Sequence, residues 1–354
     1  MSFTLETTLT TIEPNVVVLF GPPNPAVEYE ILGRLDLHVH NEIELGQLLV
    51  AFSGEAHEEY KYPNHRNEYK SQTVNIARSE FHALQAPTVF QPGKYDFPFR
   101  LRVPGDVAAT HCQHVYKGFF WGYELIAVGV PSNLSESNTR QVIRQPLTLE
   151  RIYTMPPGPS LSLFRIKRAG ALECAIRVPK IVSVKDTSLR VSMDLNTINR
   201  CPGVKKIRVE VIQTSVLNFD YAQLIGGFRR FWVFQPTILF PSDTTAPGRM
   251  ISSPPFANAV KTTKILSNFK ISNPHKKKPE IAAWGGDKPI EFDLELDSKE
   301  LTPSETVTWL SVTHGVHFTI SFINEGAEPL MFVAPFQICK LTTKDKPSEE
   351  YELK

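Results

Sequence analysis

The sequence predicts an all-β protein built as two tandem antiparallel β-sandwiches with an immunoglobulin-like architecture. Apolar and polar residues alternate strictly in segments spread over most of the chain, which is the pattern of half-buried strands. Turn-forming residues separate these segments. The 354 residues also include 28 prolines, about 8% against an average near 5%. Proline removes a backbone donor and clashes with the preceding helical turn, so this composition favours short strands over long helices.

Nine segments carry the alternation. Because successive side chains of a strand point to opposite faces, each segment has one apolar and one polar face. Two antiparallel sheets that pack face to face need this arrangement. The apolar positions fall within residues 35–39, 48–52, 97–103, 121–127, 172–178, 189–195, 207–211, 292–296 and 316–322.

The sequence predicts a division into two domains at residues 153–160, which read Tyr-Thr-Met-Pro-Pro-Gly-Pro-Ser. Three prolines and a glycine interrupt the strand pattern there, and the pattern resumes on both sides. The predicted domains are residues 1–153 and 160–343, each of ordinary domain size. A second long break in the pattern includes residues 244–279, which we predict to be a basic loop of the second domain.

The charge balance excludes one class of function. The chain has 38 Lys and Arg against 37 Asp and Glu, a net charge of +1. It is therefore not a polycation that grips nucleic acid with its whole surface, and no nucleic-acid partner is predicted. The start of the chain has no cationic patch followed by an apolar core, and no apolar run is as long as a membrane span. We therefore expect a cytoplasmic protein.

Motifs of the common enzyme classes are absent from the sequence. It contains no G-x-S-x-G, G-x-G-x-x-G, Walker or H-E-x-x-H pattern, so neither an enzymatic activity nor a cofactor is predicted. Cys174 lies in phase with the apolar residues of its segment, which predicts an inert buried thiol. His314 is expected to make a structural hydrogen bond.

Histidines are candidate metal ligands, and a zinc site needs several ligands that converge. His38 and His40 point the same way from one predicted strand, and His111, Cys112 and His114 form a compact set elsewhere. Nothing in the sequence brings the two sets together, so no metal site is predicted.

Two segments of the first domain resemble a known family. Residues 50–54 read Val-Ala-Phe-Ser-Gly, and residues 91–104 read Gln-Pro-Gly-Lys-Tyr-Asp-Phe-Pro-Phe-Arg-Leu-Arg-Val-Pro. Their order, a strand with Phe-x-Gly followed by Pro-Gly-x-Tyr-x-Phe-Pro-Phe, resembles the N-terminal domain of arrestins, especially the α-arrestins of fungi and animals.

The second domain carries the resemblance further. Residues 204–213, Val-Lys-Lys-Ile-Arg-Val-Glu-Val-Ile-Gln, resemble the central strand of the arrestin C-terminal domain. Residues 301–304 and 312–318, Leu-Thr-Pro-Ser and Val-Thr-His-Gly-Val-His-Phe, resemble its ending. The resemblance spans roughly residues 15–342 in the family's order.

The resemblance implies a non-enzymatic trafficking adaptor. Such a protein binds cytoplasmic tails or loops of a membrane transporter or receptor and links this cargo to ubiquitin-dependent endocytosis or sorting. It implies a location at the plasma membrane or endosomes. A structural cargo-sorting subunit of a retromer-like coat is the alternative, because it shares the two-sandwich architecture. A sugar-active enzyme built on a sandwich is a third reading.

The family's contact with a HECT-type ubiquitin ligase is normally a Pro-Pro-x-Tyr motif, and the sequence departs from the family here. Its three Pro-Pro pairs are followed by Asn24-Pro25, Gly158-Pro159 and Phe256-Ala257. None has tyrosine at the required place. We therefore expect an indirect ligase contact, with a partner arrestin supplying the ligase.

Residues 244–279 hold seven cations and no acidic residue. A basic loop beside a membrane is attracted to anionic lipid head groups by about 1 kcal/mol per cation. Acidic cargo segments are a second possible ligand, and a solvated loop without a ligand is the alternative. The seven cations are Arg249, Lys261, Lys264, Lys270, Lys276, Lys277 and Lys278.

A second basic cluster comprises Lys205, Lys206 and Arg208. By alternation, Lys206 and Arg208 share the polar face of their strand, opposite Ile207. The resemblance implies that such strands help line a partner-binding face. An ordinary solvent face balanced by Glu210 is the alternative.

Overall fold

The computed structural model describes most of the chain as β-strands. The residues that it does not describe are 1, 12, 62–68, 111–118, 134–139, 156–159, 169–171, 198–202, 218–259, 273–288, 299–300, 308, 324–325 and 343–354. Among the described residues, no helix is long and apolar enough to cross a membrane.

The chain divides into two compact units. The first comprises Met1–Arg151, Leu217–Val260 and Val307–Leu310, and the second comprises Ile152–Val216, Lys261–Thr306 and Ser311–Lys354. The strands of the first half are β1 (Phe3–Leu9), β2 (Val16–Phe20), β3 (Glu28–Val39), β4 (Ile43–Lys61), β5 (Tyr69–His82), β6 (Thr88–Phe90), β7 (Gly93–Pro104), β8 (Phe119–Pro131) and β9 (Gln141–Thr154).

The strands of the second half complete the described fold. They are β10 (Leu161–Arg168), β11 (Leu172–Pro179), β12 (Ile181–Ser183), β13 (Ser188–Thr197), β14 (Val204–Leu217), β15 (Val260–Ser272), β16 (Ile290–Glu295), β17 (Glu305–Thr306), β18 (Leu310–Phe322), β19 (Leu330–Cys339) and β20 (Leu341–Thr342).

The first unit is a sandwich of a three-stranded and a larger sheet. The strand order is β1-β3-β7 in one and β2-β9-β8-β4-β5 in the other, with β6 beside β4. The inward side chains of both sheets form the core, among them Leu35, Phe52 and Trp121. The two sheets approach closely at Gly129 of β8, where an added Cβ would lie 2.7 Å from the ring of Phe3 on β1.

The second unit is a sandwich of a four-stranded and a six-stranded sheet. Their orders are β10-β11-β13-β16 and β12-β19-β18-β14-β15, with β17 beside β18. Phe292 of β16 packs edge-on against Phe318 of β18, with ring centroids 6.4 Å apart. Both belong to a single hydrophobic core that apolar side chains of the two sheets fill.

The all-β prediction is confirmed. Eight of the nine alternating segments lie entirely within strands, and the ninth, 292–296, extends one residue beyond the end of β16. Two short parallel pairings depart from the predicted antiparallel pattern. They join β12 to β19, and β20 to the last two residues of β9, Tyr153 and Thr154.

The predicted loop at 244–279 is wrong in part, because residues Val260–Ser272 form β15. The segment is rich in β-branched and aromatic residues, which favour strands. Its Leu266 and Ile271 pack against the core of the second unit, and Phe269 meets Phe292 at a centroid distance of 5.8 Å. Lysines every few residues hid this pattern in the sequence. Residues 244–259 and 273–279 lie outside the described residues.

Candidate functional site

The candidate site is a group of cations on the outer face of the six-stranded sheet. It lies where β14 and its neighbour β15 run side by side. On β14, Ile207 and Val209 are fully buried, whereas Lys206 and Arg208, which alternate with them, are half-buried and face outward. The strand alternation thus places the two cations on one face, as the sequence predicts.

Lys270 of β15 completes the group. Its side chain lies within hydrogen-bonding range of Lys206. Loss of water around the Lys206 ammonium, followed by the positive charges of Lys270 and Arg208, lowers the pKa of Lys206, while Glu210 acts in the opposite direction. Like charges on neighbouring strands destabilise a sheet, so an anion bound here relieves a repulsion that is built into the fold.

Arg208 has a fixed carboxylate partner. Its Nη2 atom lies 2.6 Å from Oε1 of Glu210, whose side chain is only 8% exposed. His317 of β18 approaches the other oxygen of Glu210 at 4.0 Å through Nδ1. Glu210 thus balances Arg208 and holds its guanidinium against the sheet. We call Lys206, Arg208 and Lys270 the basic face.

The other predicted cations do not join the basic face. Lys205 is exposed at the start of β14 and has the opposite phase to Lys206. Lys261 and Lys264 are exposed on β15, but they lie nine and six residues before Lys270, or about 30 and 20 Å along an extended strand. Lys276, Lys277 and Lys278 lie outside the described residues.

A buried polar network crosses the same sheet, and the sequence predicts the structural role of only one of its members, His314. Nδ1 of His314 lies 2.9 Å from the hydroxyl oxygen of Ser304, and its Nε2 lies 3.3 Å from Oε1 of Gln213. Gln213 in turn donates to the hydroxyl of Ser215. The structural role predicted for His314 is confirmed. Burial lowers its pKa from 6.5 to about 4, so the ring is neutral at physiological pH.

Arg151 is a buried cation with a role that was not predicted from the sequence. It is 2% exposed, and its guanidinium donates to the carbonyl oxygens of Gly21, Gly105 and Val107 at 3.2, 3.1 and 2.8 Å. It therefore ties two loops to β9. A signal was present, because Arg151 is in phase with the apolar Leu149.

A shallow polar hollow of about 480 Å³ lies on the outer face of the three-stranded sheet. There Glu6, Asp36 and Asp96 stand opposite one another on three adjacent strands. Arg34 pairs with Asp36 at 2.8 Å, and Lys94 also lines the hollow.

The described thiols and histidines show no reactive site. Burial raises the pKa of both Cys174 and Cys339 to about 12, so neither is a thiolate nucleophile. His38 and His40 contact each other edge-on at a centroid distance of 4.7 Å. Within the described part of the chain, no three or more His, Cys, Asp or Glu residues are grouped to hold a metal ion. Residues 111–114 lie outside the described residues.

The chain matches no protein-family model, and no curated protein matches it either.

Proposed function

We propose that this chain is an arrestin-like trafficking adaptor of the cytoplasm that works at the plasma membrane or endosomes. It binds cytoplasmic tails or loops of transporters or receptors and passes them to ubiquitin-dependent endocytosis or sorting. Recognition without chemistry is its mechanism. The tandem β-sandwiches support the proposal, as do the arrestin-like motifs, which follow the family's order through both halves of the chain.

The basic face is the observation that carries the proposal. Lys206 and Lys270 come from neighbouring strands and face each other, while the charge of Arg208 is matched by Glu210. Two neighbouring like charges beside the matched Arg208 favour an anionic ligand. In an adaptor that works at a membrane, this ligand is the anionic lipid surface, to which each cation contributes about 1 kcal/mol.

The ubiquitin ligase enters indirectly in this proposal. Because no Pro-Pro pair is followed by tyrosine at the required place, a partner arrestin brings the HECT-type ligase to the cargo. The chain itself contributes cargo recognition and membrane attachment.

Membrane attachment is tested by co-sedimentation with vesicles of phosphatidylcholine, with and without phosphatidylserine, at low salt. Deleting residues 244–279 is unsuitable because it removes β15, so charge neutralisation is used instead. Lys206→Gln with Lys270→Gln should weaken binding to the anionic vesicles by about 2 kcal/mol, or roughly thirtyfold. Arg140→Gln with Lys185→Gln, two exposed cations outside the basic face, is the matched control. Equal binding by both double variants would refute the role of the basic face.

Cargo recognition is tested by affinity purification of the full chain from its native cell. The adaptor proposal expects membrane proteins and ubiquitin-system components among the captured proteins. Recovery of neither would overturn it. A constitutive complex of fixed stoichiometry would instead indicate a coat subunit.

A further inference from the structure

The free edge of β10 has a backbone that is ready to pair. Among the described strands, β10 is the end strand of its sheet and is paired on one side only, with β11. The Lys180 amide donates to the Ser160 carbonyl at 2.7 Å, which fixes the alternation of this antiparallel ladder. Even-numbered residues of β10 therefore bond to β11, and odd-numbered ones direct their N–H and C=O groups to the free edge. Pro179 stands opposite the odd-numbered Leu161. It has no N–H, which is consistent with a position that donates no hydrogen bond to β10.

The same odd-numbered residues present exposed side chains on the outer face of the sheet. Leu161 and Leu163 are 51% and 50% exposed, and Arg165 and Lys167 are exposed as well. The even-numbered Phe164 and Ile166 pack against the core. The edge thus offers two apolar and then two cationic positions, spaced about 7 Å apart along the strand.

The neighbouring strands show how far the charge of each of the two cations is already balanced within the sheet. Glu173 of β11 stands opposite Lys167, and Ala175 stands opposite Arg165. The nearby Asp194 of β13 is bound to Arg177 at 2.7 Å. Arg165 therefore faces a neutral partner on its own sheet, while Lys167 faces a carboxylate.

Arg168 has the opposite phase and a different role. It donates to the carbonyl oxygen of Glu328 and lies 4.8 Å above the ring of Phe322. It fastens the end of β10 to the sandwich and does not contribute to the free edge.

We propose that the free edge of β10 binds an extended cargo peptide as an additional antiparallel strand, with acidic residues opposite Lys167 and Arg165 and apolar residues opposite Leu163 and Leu161. This inference rests on the proposed adaptor function and names the place and the chemistry of cargo recognition. Strand addition takes its affinity from main-chain hydrogen bonds and its specificity from alternate side chains. The bound motif reads acidic-x-acidic-x-apolar-x-apolar.

The charge of the edge argues for an acidic peptide and against a second copy of the chain. β10 contains three cations and no acidic residue, so no register of a second β10 offers an anion to Arg165. Cations on an edge strand are a common protection against self-association. The competing explanation is that these cations only protect the edge against self-association. The experiment below distinguishes this explanation from peptide binding.

The probe is a fluorescent peptide, Glu-Thr-Glu-Thr-Val-Thr-Val, whose binding to the full chain is measured by anisotropy at low salt. Its first, third, fifth and seventh residues stand opposite Lys167, Arg165, Leu163 and Leu161. Arg165→Glu with Lys167→Glu should weaken binding about tenfold. Arg140→Glu with Lys185→Glu, which changes the net charge equally, should leave it unchanged. A peptide with lysine in place of both glutamates should bind the Arg165→Glu/Lys167→Glu variant more tightly than it binds the wild type.

Backbone pairing is tested on the wild-type protein, so that no variant has to fold. N-methylation of the third and fifth residues, whose N–H groups face β10, should abolish binding. N-methylation of the second and fourth residues, whose N–H groups point away, should preserve it. Equal effects of the two modifications would overturn the proposal. The proposal would also be overturned if the Arg165→Glu/Lys167→Glu variant self-associated and yet bound the peptide as tightly as the wild type. In that case the wild-type cations would only protect the edge against self-association.

The adaptor function and the edge can fail separately. Membrane proteins that co-purify equally with wild type and with Arg165→Glu/Lys167→Glu would refute the edge and leave the adaptor proposal standing. Peptide binding with the expected N-methylation pattern, together with recovery of neither a membrane protein nor a ubiquitin-system component from cells, would support the edge and refute the adaptor.

Discussion

The imidazole of His314 lies 2.9 Å from the hydroxyl oxygen of Ser304 inside the second unit, and the same hydroxyl accepts the backbone N–H of Ile338. Ser304 therefore joins a buried histidine to β19. The segment before β17 is fixed at this point by hydrogen bonds, in addition to apolar packing. The consequence is a dependence of stability on pH.

Acidification should destabilise the protein through His314. Burial lowers the pKa of this group from 6.5 to about 4 in the folded state, so the unfolded chain binds the proton first. The free energy of unfolding should fall as the pH drops from about 6.5 to about 4, by up to about 3 kcal/mol from this group. Below pH 4 its contribution should not change further. Urea denaturation at a series of pH values measures this slope.

His314→Gln provides the comparison, because glutamine keeps polar partners for Ser304 and Gln213 but does not titrate. The variant should show a smaller loss of stability between pH 6.5 and pH 4 than the wild type. Parallel pH profiles for the two proteins would contradict the assignment.

Arg151→Lys should destabilise the first unit by about 2–3 kcal/mol. The guanidinium satisfies three backbone carbonyls at once, and lysine lacks the planar fork that reaches all of them. Buried carbonyls left without donors are costly. Arg144→Lys is the control, since Arg144 is an exposed residue of the same strand that pairs with Glu124, and it should cost less than about 1 kcal/mol. Similar losses in the two variants, measured by urea denaturation, would argue against a structural role for Arg151.

Gly129→Ala should destabilise the protein by about 1–3 kcal/mol, the usual cost of overpacking a core. The added Cβ would lie 2.7 Å from the ring of the buried Phe3, so either this ring or β1 must shift. Gly122→Ala on the same strand meets nothing within 4 Å and should be neutral or stabilising by less than about 1 kcal/mol. Thermal unfolding distinguishes the two. Adding Phe3→Leu should relieve the clash in Gly129→Ala, and a purely additive double variant would show that the two sites do not interact.

Asp96→Asn should stabilise the protein by a few tenths of a kcal/mol to about 1 kcal/mol, because like charges directly opposite in a sheet are destabilising. Asp96 stands opposite Asp36, which stands opposite Glu6. Asp36→Asn should gain less, since it also breaks the pair with Arg34. The gain from Asp96→Asn should shrink in high salt, which screens exposed charges. A gain that does not depend on salt would indicate another cause.

Strand alternation was sufficient to predict much of the fold. Segments such as 207–211 and 316–322 show the two-residue period without interruption, and their apolar residues fill the core of the second unit. β15 was missed because its apolar residues do not alternate strictly and because Lys261, Lys264 and Lys270 are spread along it, so composition suggested a loop. The parallel pairing of β12 with β19 joins distant parts of the chain, and no local pattern reports such a contact.

The candidate site was predictable only within one strand. Alternation placed Lys206 and Arg208 on a common face, but the approach of Lys270 depends on which strands are neighbours. The buried polar residues left a weaker signal. Arg151 and Gln213 each occupy an apolar phase of their strand, where a polar residue must find partners in the interior. The carbonyls that Arg151 binds and the His314 that Gln213 contacts lie far away in sequence.

β14 combines two tasks that lie on its opposite faces. Lys206 and Arg208 point outward near its start, and Gln213 and Ser215 point into the core near its end. A shift by one residue would exchange the two faces along the whole strand. A single-residue insertion or deletion within this strand should therefore destabilise the fold, because it would carry the outward cations toward the core and the buried Gln213 and Ser215 toward solvent. Related sequences should accordingly keep both the length of this segment and its outward cations.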